Sequence, residues 1–84
     1  MNKKEFTIKE AEEIGRQIGI DFSEYDIEQF RMGLGVEMEH GAQDPETDVT
    51  HSDAIMTGKI AWAHLKEIKD YYTRLQKMEQ EAGS

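Results

Sequence analysis

The chain has no cysteine, a single proline (Pro45) and no apolar run longer than Ile60-Ala61-Trp62-Ala63. The first absence excludes a disulfide framework, a thiolate metal site and cysteine catalysis, and suits a cytoplasmic protein. The last leaves no candidate for a membrane-spanning helix. Lys3-Lys4 leads into EFTIKEAEE rather than the apolar stretch of a signal peptide, so none is expected. Positive charge is also scarce: 10 Lys and Arg stand against 18 Asp and Glu, a formal net charge of -8. Such a field repels phosphate backbones and anionic lipid heads, so neither direct nucleic-acid binding nor membrane binding is expected.

What remains is a chain of 84 residues, 37% hydrophobic and 33% charged. A domain of this size buries roughly 60% of its unfolded surface, which excludes a large enzyme core. Its apolar content and its periodicity predict a folded chain, one helical domain over residues 6–80 with frayed ends at 1–5 and 81–84.

Thr7-Ile8-Lys9-Glu10 is a capping box, and Ile8, Ala11, Ile14 and Ile18 follow at helical spacing up to Gly19, a stop signal. Helix one is therefore predicted over 8–18. The connector carries Phe22 and Tyr25, two aromatics suited to anchoring it on a core. Asp26 with Gln29 is a second capping signal, and Ile27, Phe30, Leu34 and Met38 share one face of helix two, which Gly41 is expected to end. Gly33 and Gly35 do not form a nucleotide loop, since no strand precedes them and the third glycine is missing. The acids Asp44, Glu46 and Asp48 of the next loop do not form a calcium loop. Val49 and Ile55 stand where that motif needs Gly and a bidentate Glu.

Thr50 with Asp53, or Ser52, caps helix three, whose stripe of Ile60, Ala61, His64, Leu65, Ile68, Tyr71, Tyr72, Leu75 and Met78 runs to the C-terminus. The fold class predicted is all-α, a bundle of three helices, or of four if the last breaks near Lys69-Asp70. The expected core is Ile14, Ile18, Phe30, Leu34, Met38, Ile60, Leu65, Ile68, Tyr72 and Leu75.

Two spacings mark a candidate site: Glu37-x-x-His40 on helix two and His64-x-x-Glu67 on helix three. Residues three apart project from neighbouring positions of one helix surface, so Glu37, His40, His64 and Glu67 could grip a divalent transition metal such as Zn, Fe or Mn. The plainer reading keeps His64 as a core histidine bonded to one carboxylate, from Glu37, Glu39, Asp53 or Glu67. Trp62 lies opposite the stripe, with Met32 and Val36 on the back of helix two. Trp62 is a candidate contact residue unless helix one or the Phe22–Tyr25 connector covers it. No Ser-His-Asp grouping is present, and an enzyme is not expected.

The runs GVEMEHG, DPETDVT, TGKIAWAHLKEI and DYYTRLQKME resemble a domain-of-unknown-function family of small helical bacterial and phage-associated proteins, over about residues 30–78. The resemblance implies a small helical domain and carries no function over to the chain. The chain departs from it at Lys69, where Pro is usual, at His51, where Asn or Asp is usual, and at Trp62, where an aliphatic is usual. Three functions follow as expectations: a non-enzymatic module that contacts a protein partner, a metal-binding helical domain, and an acidic mimic of nucleic acid. The oligomeric state is left open.

Overall fold

A computed structural model describes residues 5–43 and 54–83, with side chains at 5–39 and 54–83. Four helices follow one another: α1 (Ile8–Ile18), α2 (Ile27–Gln43), α3 (Ala54–Glu67) and α4 (Tyr71–Ala82). No strand occurs among the described residues, so the fold class is all-α. The expected caps of α3 at Thr50, Ser52 and Asp53, and the acidic loop with Pro45, lie outside the described residues.

α1 forms where its own sequence dictates. Thr7 Oγ1 accepts from the Glu10 amide at 3.1 Å and the Thr7 amide donates to Glu10 Oε1 at 2.9 Å, closing the capping box. Phe6 before the cap and Ala11 in the fourth helical position are both buried in the core, the arrangement of a hydrophobic staple. Gly19 ends the helix in the left-handed conformation at φ 89°, which a side chain would resist. Ile8, expected in the stripe, is 42% exposed, whereas Phe6, ahead of the helix, is buried in the core.

Asp26 opens α2 by accepting from the Glu28 amide at 3.2 Å. Gln29 does not complete a capping box; its side chain turns into the protein. Gly41 does not end the helix either, since α2 continues to Gln43 and the only positive-φ glycine among the described residues is Gly19.

The core lies where α1, α2 and α3 meet, around Ile14, Phe30, Leu34, Met38, Ala61 and Leu65. Fully burying a side chain such as Phe30 or Leu34 contributes roughly 1.5–3 kcal/mol relative to leaving it exposed. Phe22 packs from the connector onto Phe30 with ring centroids 5.7 Å apart. Of the expected core, Ile18, Ile60 and Leu75 are half-buried and Ile68 is exposed.

Ile68 is exposed because the long stripe is broken. The chain leaves α3 at Glu67 and turns through Ile68-Lys69-Asp70 before α4 starts. The Tyr71 amide reaches back to the Ile68 carbonyl at 3.1 Å. The turn resets the helical phase, so positions on opposite sides of it no longer share a face. One consequence is that Tyr72 becomes the largest fully buried side chain, while Met78 stays 60% exposed.

Candidate functional site

Tyr72 enters the bundle through a notch at Gly33. A Cβ at that glycine would lie 2.7 Å from Tyr72 Cζ and 3.0 Å from the Ala61 Cβ, so any side chain on α2 there would push the ring out. The Tyr72 hydroxyl donates to Glu37 Oε2 at 2.9 Å. His64 Nδ1, from α3, lies 3.0 Å from that same carboxylate oxygen and 3.0 Å from the hydroxyl. Three polar groups from three helices thus share one point.

The proton positions follow from chemistry. A carboxylate only accepts and the phenol spends its proton on Glu37, so Nδ1 must be the protonated nitrogen to bond with either. Burial pushes the Tyr72 phenol well above its ordinary range, and the charge of Glu37 and its hydrogen bond push it further. Tyr72 therefore remains a donor at neutral pH. The His64 ring also stacks on Tyr71, centroids 4.5 Å apart and 12° from parallel.

Of the four predicted ligands, the structure brings Glu37 and His64 together. Glu67 is exposed, and the His40 side chain lies outside the described ones. No group of three or more His, Asp or Glu that could hold a metal ion occurs among the described residues. Of the other carboxylates considered for His64, Glu39 lies in a groove on another face and Asp53 is outside the described residues.

A second polar device holds the start of α4. The Gln29 carbonyl oxygen accepts from the amides of Tyr72 at 3.2 Å and Thr73 at 3.3 Å, and its Nε2 bonds the Thr73 hydroxyl. Those amides are among the four a helix start leaves without intrahelical partners. Asp70, the residue in the cap position, makes no capping bond; its carboxylate takes Arg74 Nε at 2.7 Å. A glutamine on α2 thus caps α4.

Reading the sequence missed the part that the Tyr72 hydroxyl and the Gln29 side chain play, though Tyr72 itself is buried as expected. Tyr72 was placed in the core stripe, but its hydroxyl needed a partner there, and that requirement pointed to the histidine and carboxylate of the same region. Gln29 carried no comparable signal, since its partners lie more than forty positions away.

Trp62 is half-buried. Tyr25 from the connector meets its indole edge-on at 6.4 Å, and Lys66 Nζ sits 4.1 Å above the ring. The indole Nε1 is buried and has no hydrogen-bond partner among the described residues. Tyr25 of the connector thus packs against one edge of Trp62, which stays partly exposed.

Met32 and Val36, on the back of α2, face α4. With Gly35 and Glu39 they form one wall of a groove of about 400 Å³, and Tyr72, Leu75, Gln76 and Glu79 form the other. Glu5, Phe6 and Arg31 close one side. Arg31 is already engaged: its guanidinium pairs with Glu28 and donates to the Phe6 carbonyl at 3.1 Å. The pair holds Glu28 below the usual carboxylate range and Arg31 above its own.

No helix among the described residues is long and apolar enough to cross a membrane. No curated protein and no solved structure matches the chain. A family model does match it over residues 11–81, that of a protein of unknown function, DUF5661. With most of its length in that match, the chain belongs to the DUF5661 family.

Proposed function

We propose that this domain is a non-enzymatic interaction module and that the groove between α2 and α4 is its contact surface. The observation that carries the reading is the groove itself, about 400 Å³ with Met32, Val36 and Leu75 half-buried along it. The polar cluster supports it indirectly. Glu37, Tyr72 and His64 bond one another across three helices, which is what a cluster that holds a fold together does.

The test is site-resolved crosslinking in cells that express the chain natively. A photoreactive side chain at Gln76, on the groove wall, should yield a discrete protein adduct that the same group at Gln17, exposed on α1, does not. Adducts from both positions alike, or from neither, would overturn the reading.

A metal-binding reading has one observation in its favour, the meeting of Glu37 and His64 across α2 and α3. Against it stands Tyr72, whose hydroxyl donates to the same Glu37 oxygen that faces His64 Nδ1, the place an ion shared by the two would take. Metal content after purification without chelator or affinity resin decides it: stoichiometric metal would favour this reading over the first.

A further inference from the structure

We propose that the lysine-edged aromatic face of α3 takes a short acidic segment of a protein partner. This surface shares no lining residue with the groove between α2 and α4 and stands independently of it. Its floor is aromatic. Trp62 on α3 and Tyr25 of the connector are both half-buried and meet edge-on at 6.4 Å, so each ring keeps apolar area at the surface. Lysines edge that floor. Lys59 stands three residues before Trp62 and Lys66 four after it, spacings that put all three on one side of the helix. Lys66 Nζ lies 4.1 Å above the Trp62 ring, and Lys69, in the turn to α4, holds its Nζ 5.8 Å from the Tyr25 ring.

Charge then selects the occupant. All three lysines are exposed, and none forms an ion pair with a carboxylate among the described residues. The acids of the connector and the turn are engaged elsewhere: Asp21 takes Ser23, Asp26 caps α2 and Asp70 takes Arg74. Glu67 lies about 100° round α3 from Lys66, and Glu24, beside Tyr25 in the chain, pairs with neither lysine of the turn region. A chain with 10 Lys and Arg against 18 Asp and Glu thus keeps three cations together with no carboxylate of its own on them. Size decides between anions. Lys59 and Lys66 are roughly 10 Å apart along the helix, which three or four residues of extended peptide span. At about 0.15 M ionic strength charges beyond about 8 Å are screened, so a segment no longer than the patch meets the lysines and little of the surrounding negative field. A nucleic acid would carry its phosphates past the patch onto that acidic surface. The rings complete the match, since an apolar side chain between the carboxylates packs on Trp62 while its neighbours reach the ammonium groups. The partner segment is then a Phe or Leu flanked on both sides by Asp or Glu.

The experiment uses the full chain and its own reporter. Trp62 is the only tryptophan, so indole fluorescence reads this face alone. The probe is a capped peptide with one Phe between two pairs of acidic residues, titrated up to millimolar concentration. Its controls are the same peptide with Ser in place of Phe, the same with Lys in place of the acids, and a single-stranded DNA of matching length. Affinity is measured for the unmodified chain, for Lys66→Glu/Lys69→Glu at the patch, and for Lys9→Glu/Lys77→Glu away from it. All four lysines are exposed, and both variants change the net charge equally. The expected result is a saturable change in Trp62 emission with the acidic Phe peptide, its affinity falling about tenfold or more in the patch variant and at most about threefold in the other. Lys66→Arg/Lys69→Arg, which keeps the charge, should bind within about threefold of the unmodified chain. No change in Trp62 emission, equal loss in the two glutamate variants, or an equal response to the Lys peptide would overturn the inference. Tighter binding of the DNA would overturn the protein partner in favour of a nucleic acid.

Discussion

α1 and α4 begin in opposite ways. α1 is started by its own residues, Thr7 and Glu10, which exchange bonds within a single turn. α4 is started by Gln29, a residue of α2, and is seated by Tyr72 in the Gly33 notch against Glu37 and His64. A helix with a local cap is specified before the rest of the chain arrives. One capped from another helix is specified only once that helix is in place, so its stability is tied to theirs. The same difference decides what each helix can do: α1 is a strut, whereas α4 is a wall whose position sets the width of the groove.

Removing the anchor should give the largest effect. Tyr72→Ala empties a fully buried site and removes the donor to Glu37, and should cost roughly 3–5 kcal/mol, read as a fall in the denaturant midpoint. Gln29→Ala leaves the Tyr72 and Thr73 amides without their acceptor and should cost about 1–3 kcal/mol in the same assay.

Alkali should loosen α4 through the same anchor. The folded-state pKa of Tyr72 is raised, so its contribution is fully present below the ordinary phenol value of about 10 and is lost as pH climbs through the raised one. Stability should therefore fall by up to about 1.4 kcal/mol per pH unit above about pH 10. In Tyr72→Phe the slope in pH-dependent melts should flatten.

On the other side of the comparison, Thr7→Ala removes a local cap and should cost about 1 kcal/mol, less than Gln29→Ala. Parity between the two in matched melts would blur the distinction between local and borrowed caps. Ile68→Ala should be smallest of all, within about 0.5 kcal/mol, because the turn places Ile68 on the surface.

Thr7 and Ile68 also mark how far the sequence could be read. Everything that makes α1 lies between Phe6 and Ile20, within reach of a pattern of a few residues, and its ends were legible to the residue. The core face of α2 was equally legible, since Phe30, Leu34 and Met38 are buried as their spacing requires. Ile68 was not, because its face was assigned on the assumption of one continuous helix and the turn changed the phase. Gly41 misled for a related reason: glycine permits a stop but does not impose one. In the polar cluster, the need of a core-facing His64 for a carboxylate followed from the wheel, which left Glu37, Glu39, Asp53 and Glu67 open, and the structure places Glu37 there. The phenol that completes the cluster reaches it only because the helix breaks. The groove was hidden by the same break, since Met32 and Val36 face a wall only when α4 turns back against α2.

Amide hydrogen exchange on the unmodified chain, Gln29→Ala and Thr7→Ala tests the borrowed cap most directly. The account predicts that Gln29→Ala strips protection from the amides of Tyr72, Thr73 and the rest of α4 while those of α1 and α3 keep theirs, and that Thr7→Ala touches α1 first. Unchanged protection at Tyr72 and Thr73 in Gln29→Ala, or a loss spread evenly over all four helices, would contradict it.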